Sequence, residues 1–199
     1  VHNGVINLQT SKYVGLFGYV GIGGVIRDLG VENVAITGYW GVGGLVGVNS
    51  GMVTSCYSTS AVTGRRVGGL VGENQNILTS CYATGAVTGD EDVGGLVGVN
   101  SGMVTSCYAT GAVTGSGKVG GLVGVGFAVS CYWDMDATGQ SGSSGGKGLT
   151  TSQMKTISFY RNANWNGYDW VMTANEYPRL VWEGLGWPDI PAPEAVPLA

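Results

Sequence analysis

Charge is what this chain has least of. Asp, Glu, Lys and Arg make up 11 % of its 199 residues, against roughly 25 % in an average globular domain. Residues 33–64 carry no charge at all. The formal net charge is −4, with nine Lys and Arg scattered along the chain. No basic patch is available for nucleic acid or for an anionic membrane surface. So uncharged a stretch must be tested as a membrane span, and it fails. Gly, Ser, Thr and Asn break every apolar run before 18 residues, so membrane insertion is not expected. Histidine is as scarce: His2 is the single one. That removes His-based metal sites and leaves any Ser–His or Cys–His nucleophile only this residue as its base. No secretory leader is visible and Val stands at position 1, which reads as a processed product or a fragment. Glycine, by contrast, is abundant, at 38 residues. It follows no Gly-X-Y period, which excludes collagen. The 44 % hydrophobic content and six Trp exclude a disordered chain.

The glycines belong to a repeat. "VGGLVG" begins at 42, 67, 93 and 119, and "SCY" at 55, 80, 106 and 130. "AVTG" closes three units, at 61–64, 86–89 and 112–115. "VGLFG" at 14–18 and "NVAITG" at 33–38 mark an earlier, degenerate unit. Units of about 25 residues rich in Gly, Val, Thr and Ser are poor helix formers. Short strand-forming runs between Gly, Asn-Ser-Gly and Thr-Gly turns fit one coil of a β-solenoid. The expected fold is all-β. It is a right-handed parallel β-solenoid over residues 1–139, with coils near 14–38, 42–64, 67–89, 93–115 and 119–133.

Stacking places equivalent residues of adjacent coils in ladders about 4.8 Å apart. Leu45, Leu70, Leu96 and Leu122 form one ladder. Val46, Val71, Val97 and Val123 form another, expected on the opposite face of the same strand. Cys56, Cys81, Cys107 and Cys131 form a third, and Tyr57, Tyr82, Tyr108 and Tyr132 a fourth. Asn49, Asn74 and Asn100 form a turn ladder whose amides can bond to one another along the stack. In-register cysteines point the same way, which hinders the S–S torsion. A buried thiol ladder is therefore expected, with disulfide pairing as the alternative.

"VGGLVGVNSGMVTSCYSTSAVTG" resembles the GLUG-motif repeat of bacterial cell-surface and secreted proteins, found in some immunoglobulin-A-cleaving metallopeptidases and in haemagglutinin-like adhesins. "CYWDMDATGQSGSSGGKGLTTSQMK" and "EYPRLVWE" are similar to the segment that often follows such repeats. The resemblance spans about residues 14–183. It implies an extracellular, β-helical, non-catalytic region. No protease activity carries over, because "HExxH" is absent.

Other candidates are weaker. Gly142-Ser143-Ser144-Gly145-Gly146 has the letters of "GxSxG" without the strand–turn–helix setting, and reads as a turn. "VGGLVG" lacks the Walker Lys-Ser/Thr and any following helix. Asp134, Asp136 and Thr138 have the opening spacing of a calcium loop, but Gly145 stands where the twelfth-position Glu belongs. An Asp-rich turn is the alternative. Arg65-Arg66 and Asp90-Glu91-Asp92 occupy equivalent turns of neighbouring coils and favour the register modestly.

After about residue 140 the repeat stops. Residues 140–185 read as an aromatic-rich cap containing a short helix at 151–160, capped by Thr151 or Ser152. Trp165, Tyr168, Trp170, Tyr177 and Trp182 are expected over the last coil or along one side. Residues 186–199 hold four of the five prolines and read as an extended tail held by its own solenoid or by a neighbour. The functional expectation is a non-enzymatic, extracellular or cell-surface structural protein without cofactor. It self-associates, head to tail into a filament or layer, through its tail or terminal rung. Candidate contacts are Val46, Val71, Val97 and Val123, with Trp187, Pro188, Ile190, Val196 and Leu198 in the tail. The alternative is an adhesive or spacer module that binds a glycan or host protein through the Tyr column.

Overall fold

A computed structural model describes residues 1–163, 165 and 167–184. The tail candidates Trp187, Pro188, Ile190, Val196 and Leu198 lie outside the described residues. The body is a stack of parallel coils. Three strands open it: β1 (His2–Val14), β2 (Phe17–Val20) and β3 (Val25–Gly43). From there each coil repeats one path over three faces. The first face runs through residues 52–58, 77–83 and 103–109, the second through 61–68, 87–94 and 113–120, and the third through 71–74, 97–100 and 123–125. Every pairing in the stack is parallel, and it is in register except for a shift between Leu8 and Lys12 where β1 lies along β3. Val42, Val67, Val93 and Val119 align, as do Tyr57, Tyr82, Tyr108 and Tyr132.

Unequal coil lengths leave this register intact. Gly64 pairs with Gly89 and Val67 with Val93, although the stretch from Gly89 to Val93 has one residue more than that from Gly64 to Val67. The extra residue is taken up in the Arg65-Arg66 versus Asp90-Glu91-Asp92 turn.

The "VGGLVG" segment is a corner. Its first Val-Gly belongs to the second face, Gly44-Leu45 form a bend, and Val46 opens the third face. This corrects one expectation. Val46, Val71, Val97 and Val123 were placed on an outer face awaiting a partner, but all four are 0 % exposed, as are Leu45, Leu70, Leu96 and Leu122. At a bend, strict alternation stops, and two successive side chains both turn inward. Each such residue contributes about 1.5–3 kcal/mol by burial. The glycines serve the same corner. A Cβ on Gly43 would stand 2.7 Å from both the amide nitrogen of Gly72 and the carbonyl oxygen of Leu70, and one on Gly68 equally close to the backbone of Gly98 and Leu96. Nearer still are the carbonyl oxygens of Val46 and Val71 in the same corners, so the close approach allowed by glycine is made both by the bend itself and by the next coil of the same molecule.

A second departure from alternation recurs in every coil. Ser55, Ser80, Ser106 and Ser130 all have φ between 50° and 52°, and Asp28 holds the equivalent place at 53°. A left-handed residue costs an L side chain about 1–2 kcal/mol, yet here it resets the strand phase. Val53 and Cys56 are three apart and both fully buried, which leaves Tyr57 pointing outward.

The repeat stops in sequence at about residue 140, but the coil path continues. Lys147–Leu149 pairs in parallel with Tyr132–Asp134, and Gly121, Ser144 and Gly146 bond across the same step. Residues 140–149 are therefore a further partial rung. The single helix expected at 151–160 is two: α2 (Thr151–Met154) and α3 (Ile157–Asn162), preceded by the one-turn α1 (Met135–Thr138). Thr150, not Thr151 or Ser152, caps α2, and Gln153 completes a capping box.

Candidate functional site

The Tyr column is the most elaborated surface of the stack. Tyr57, Tyr82 and Tyr108 stack nearly parallel, with ring centroids 4.9 and 5.0 Å apart. That spacing is the rise from one coil to the next, so the ladder follows from register alone. The first coil has Gly30 at this position, and the Tyr57 ring lies over it.

The column is covered. Trp165, Trp170, Tyr177 and Trp182 pack along it, and the four column tyrosines are only 2–8 % exposed. The cover is tied to the left-handed serines. Trp165 Nε1 donates to Ser130 O at 2.8 Å, Ser80 Oγ to Asp169 Oδ2 at 2.9 Å, and Trp182 Nε1 to Ser55 O at 2.7 Å. The chain thus runs from the fifth coil back to the second along this flank.

The tyrosine hydroxyls are engaged too. Tyr57 donates to Glu32 Oε1, Tyr82 to Glu183 Oε2 at 3.1 Å, and Tyr108 to Pro178 O at 2.7 Å. A cleft of about 330 Å³ remains between ladder and cover, lined in part by Glu32, Tyr57, Lys155, Arg179 and Glu183. Burial pushes the Glu183 carboxyl upward, while the Leu180 amide, at 2.7 Å, pulls the other way. Both carboxylates serve as acceptors for tyrosines. With the four rings 2–8 % exposed and the hydroxyls of Tyr57, Tyr82 and Tyr108 bonded, the ladder is covered along its length rather than laid open as a stacking platform.

Asp134 organises the end of the stack. It is fully buried; its Oδ1 accepts from the amides of Asp136 and Ala137 at 2.9 and 3.0 Å, and its Oδ2 from Thr151 Oγ1 and Tyr177 at 2.7 and 2.6 Å. Thr138 Oγ1 donates to Asp134 O at 2.6 Å, and Asp136 Oδ2 accepts from the Thr151 amide. The residues considered for calcium join α1, α2 and the cover instead. Among the described residues no group of three His, Cys, Asp or Glu is arranged to hold a metal ion. In the "GxSxG"-like turn, Ser143 Oγ accepts from the Leu122 and Val123 amides, and Ser144 Oγ donates to Gly124 O at 2.6 Å. These hydroxyls close the backbone of the last coil.

The inner columns are bonded along the stack. Asn49 Nδ2 donates to Asn74 Oδ1, and Asn74 Nδ2 to Asn100 Oδ1, both at 2.8 Å. Each cysteine amide from Cys56 to Cys107 faces the sulfur of the next cysteine at 3.3–3.4 Å. All four thiols are free and buried, and burial pushes those of Cys81, Cys107 and Cys131 well up.

On the outside, Arg66 bonds Glu73 and Asp92, each at 2.9 Å, and stands 4.3 Å over the Trp40 ring, while Arg65 pairs with Glu91. Trp40 and Glu73, 33 residues apart, carried no periodic signal.

The two ends differ. The C-terminal end carries the partial rung and α2. Among the described residues, at the N-terminal end β1 pairs only with β3, and β2 only with Val46–Asn49. Of the fifteen exposed large hydrophobics among the described residues, nine fall within the first 39, including Val5 at 75 % and Ile22 at 93 %.

Comparison with known proteins agrees with this geometry. The model of the GLUG motif matches three consecutive stretches, residues 38–63, 63–88 and 89–114. No curated protein and no solved structure matches the chain. Each matched stretch spans close to one coil, with one Leu, Cys, Tyr and Asn rung, so residues 38–114 are a GLUG-repeat region folded as successive coils of a β-solenoid.

Proposed function

We propose that the protein is a non-enzymatic structural module of a cell surface or extracellular assembly, and that it associates with further copies of itself through its first rung. The observation that carries this reading is the inequality of the ends. An unpaired strand edge bordered by exposed apolar side chains is a template for strand addition, and among the described residues β1 presents a long one on the side away from β3. Head-to-tail stacking of rungs would need the last coil open as well, and that coil carries residues 140–154. The geometry therefore supports contact between N-terminal ends over the head-to-tail filament expected from the sequence. The scarcity of charge and the similarity of the repeats to surface-protein repeats support an extracellular setting.

Sedimentation velocity and negative-stain microscopy of the full chain test the proposal. Association is expected to rise with concentration and to be lost in the Val5→Lys/Leu8→Lys double variant, because lysine on an edge strand opposes pairing. A chain that stays monomeric at every concentration would sink it.

A further inference from the structure

We propose that the aromatic column is a redox site. A one-electron oxidant removes an electron at Trp182, and the oxidising equivalent comes to rest as a neutral tyrosyl radical on Tyr57 or Tyr82. The step belongs to the single chain and is independent of self-association.

The rings form one path. Trp182 stacks on Tyr57 with centroids 5.6 Å apart and planes 21° from parallel. Tyr82 and Tyr108 follow at 4.9 and 5.0 Å, with planes 4° and 6° from parallel. Tyr177 continues from Tyr108 at 6.3 Å and 13°. Stacked rings in this range overlap their π systems, so an electron passes between neighbours without an intervening group. The path is open at its start. Trp182 is 37 % exposed, whereas Tyr57 and Tyr82 are 8 % and 5 % exposed. An oxidant in solution reaches the indole and not the phenols behind it.

The proton acceptors separate this column from ordinary packing. A carbonyl oxygen is enough to satisfy a buried hydroxyl. Pro178 O does so for Tyr108 at 2.7 Å, and Met154 O for Tyr160 at 2.6 Å. Tyr57 and Tyr82 donate instead to carboxylates, Glu32 Oε1 and, at 3.1 Å, Glu183 Oε2. The Glu183 side chain is only 8 % exposed, and burying a carboxylate is costly. A carboxylate does what a carbonyl cannot: it takes the proton outright. Burial also raises the Glu183 carboxyl, which strengthens it as a base.

The step balances. The oxidant, an oxyl radical or a high-valent metal centre, takes one electron from Trp182 and leaves an indole cation radical. Tyr57 returns an electron to the indole and passes its hydroxyl proton to Glu32 along the existing hydrogen bond. The indole is then neutral, the Glu32 carboxylate has become a carboxylic acid, and the phenol is an uncharged oxyl radical. No charge is left on a buried ring, where it would be costly. Transfer onward to Tyr82 returns the proton from Glu32 to Tyr57 and moves that of Tyr82 to Glu183. A one-electron donor in solution ends the cycle by the reverse steps. The cover keeps two such radicals on different chains from meeting and coupling.

Flash-quench oxidation of the full chain by photogenerated tris(bipyridine)ruthenium(III) tests this, read by transient absorption and electron paramagnetic resonance. An indole radical is expected to give way to a tyrosyl radical whose lifetime does not depend on protein concentration. Its yield should fall about ten-fold in Trp182→Phe, which keeps a ring on Tyr57 but not an oxidisable one. Tyr57→Phe/Tyr82→Phe should abolish it. In Glu32→Gln/Glu183→Gln the amide oxygens still accept from the phenols, so the stack is kept and circular dichroism should match the parent chain. The indole radical should then live about ten-fold longer, a change that lost packing alone would not produce. Tyr13→Phe, which removes a phenol 46 % exposed and off the path, should change nothing. Equal tyrosyl yields in Trp182→Phe and the parent chain would overturn the proposal. So would a long-lived radical that survives Tyr57→Phe/Tyr82→Phe, or an indole lifetime unmoved by the two glutamines. A lifetime that shortens as protein concentration rises would do the same, because it marks exposed radicals that collide.

Discussion

At the scale of the residue, the stack is held by side chains that bond to their own images. Asn74 is 1 % exposed; its amide accepts from Asn49 and donates to Asn100 and to Asn76 O. Asn74→Leu fills the space but removes one hydrogen bond each from Asn49 Nδ2, Asn100 Oδ1 and Asn76 O, although Asn49 keeps Ile77 O and Asn100 keeps the Gly102 amide. A loss of about 2–4 kcal/mol is expected in urea denaturation. A change below about 0.5 kcal/mol would mean that the amide chain adds nothing net. The Asn, Cys, Leu and Tyr columns were legible in the sequence because identical residues recur at nearly constant spacing. The left-handed Ser55, Ser80, Ser106 and Ser130 recur just as faithfully and were missed. Serine is at home in many conformations, so its presence does not announce a positive φ as glycine or asparagine would.

At the scale of the element, the turns absorb what the strands refuse. The turn after Gly64 holds two residues before Val67, whereas the one after Gly89 holds three before Val93, with register preserved. One alanine inserted between Arg65 and Arg66 should therefore shift stability by less than about 1 kcal/mol, at the expense of an exposed ion pair. The same insertion between Gly69 and Leu70 displaces Leu70 and Val71 from the core. It should remove several kcal/mol, at about 1.5–3 per buried side chain. Denaturant midpoints of the two variants check this, and equal midpoints would refute the register argument. Strand periodicity located these segments, but it could not show that "VGGLVG" bends. Alternation assigned Val46 to the outside because it takes the strand to be straight. Nor could it follow residues 140–149, which keep the path of a coil after losing its consensus.

At the scale of the whole molecule, one flank of the rod is an aromatic seam joining distant parts of the chain. Burial first, then the Asp134 carboxylate, push the Tyr177 phenol up to about 12, and burial raises Tyr57, Tyr82 and Tyr160 further. Below pH 10 both the folded and the unfolded chain hold these protons. Above it, the unfolded chain releases protons that the folded one retains, so stability falls as pH rises from 10 through 12. Ultraviolet titration should show the seam tyrosines silent until a cooperative alkaline transition. Ten phenols ionising together near pH 10 in a still-folded chain would contradict this. The raised Glu183 carboxyl adds a shallower loss as pH climbs above the ordinary carboxylate range. The late aromatic cluster was visible in the sequence as a cover, but not its course. Glu32 and Glu183 meet neighbouring tyrosines across 151 positions of separation, which no local pattern encodes.

The tolerance of the Gly64–Val67 turn reaches beyond stability. Because an inner coil enters and leaves in the same register whatever its turn length, one coil can be duplicated or excised as a unit without redesigning its neighbours. Rod length is then a counted quantity, lengthening by about 4.8 Å per added coil. A lineage could tune reach by copying 26-residue blocks such as 67–92, while the two dissimilar ends are inherited unchanged.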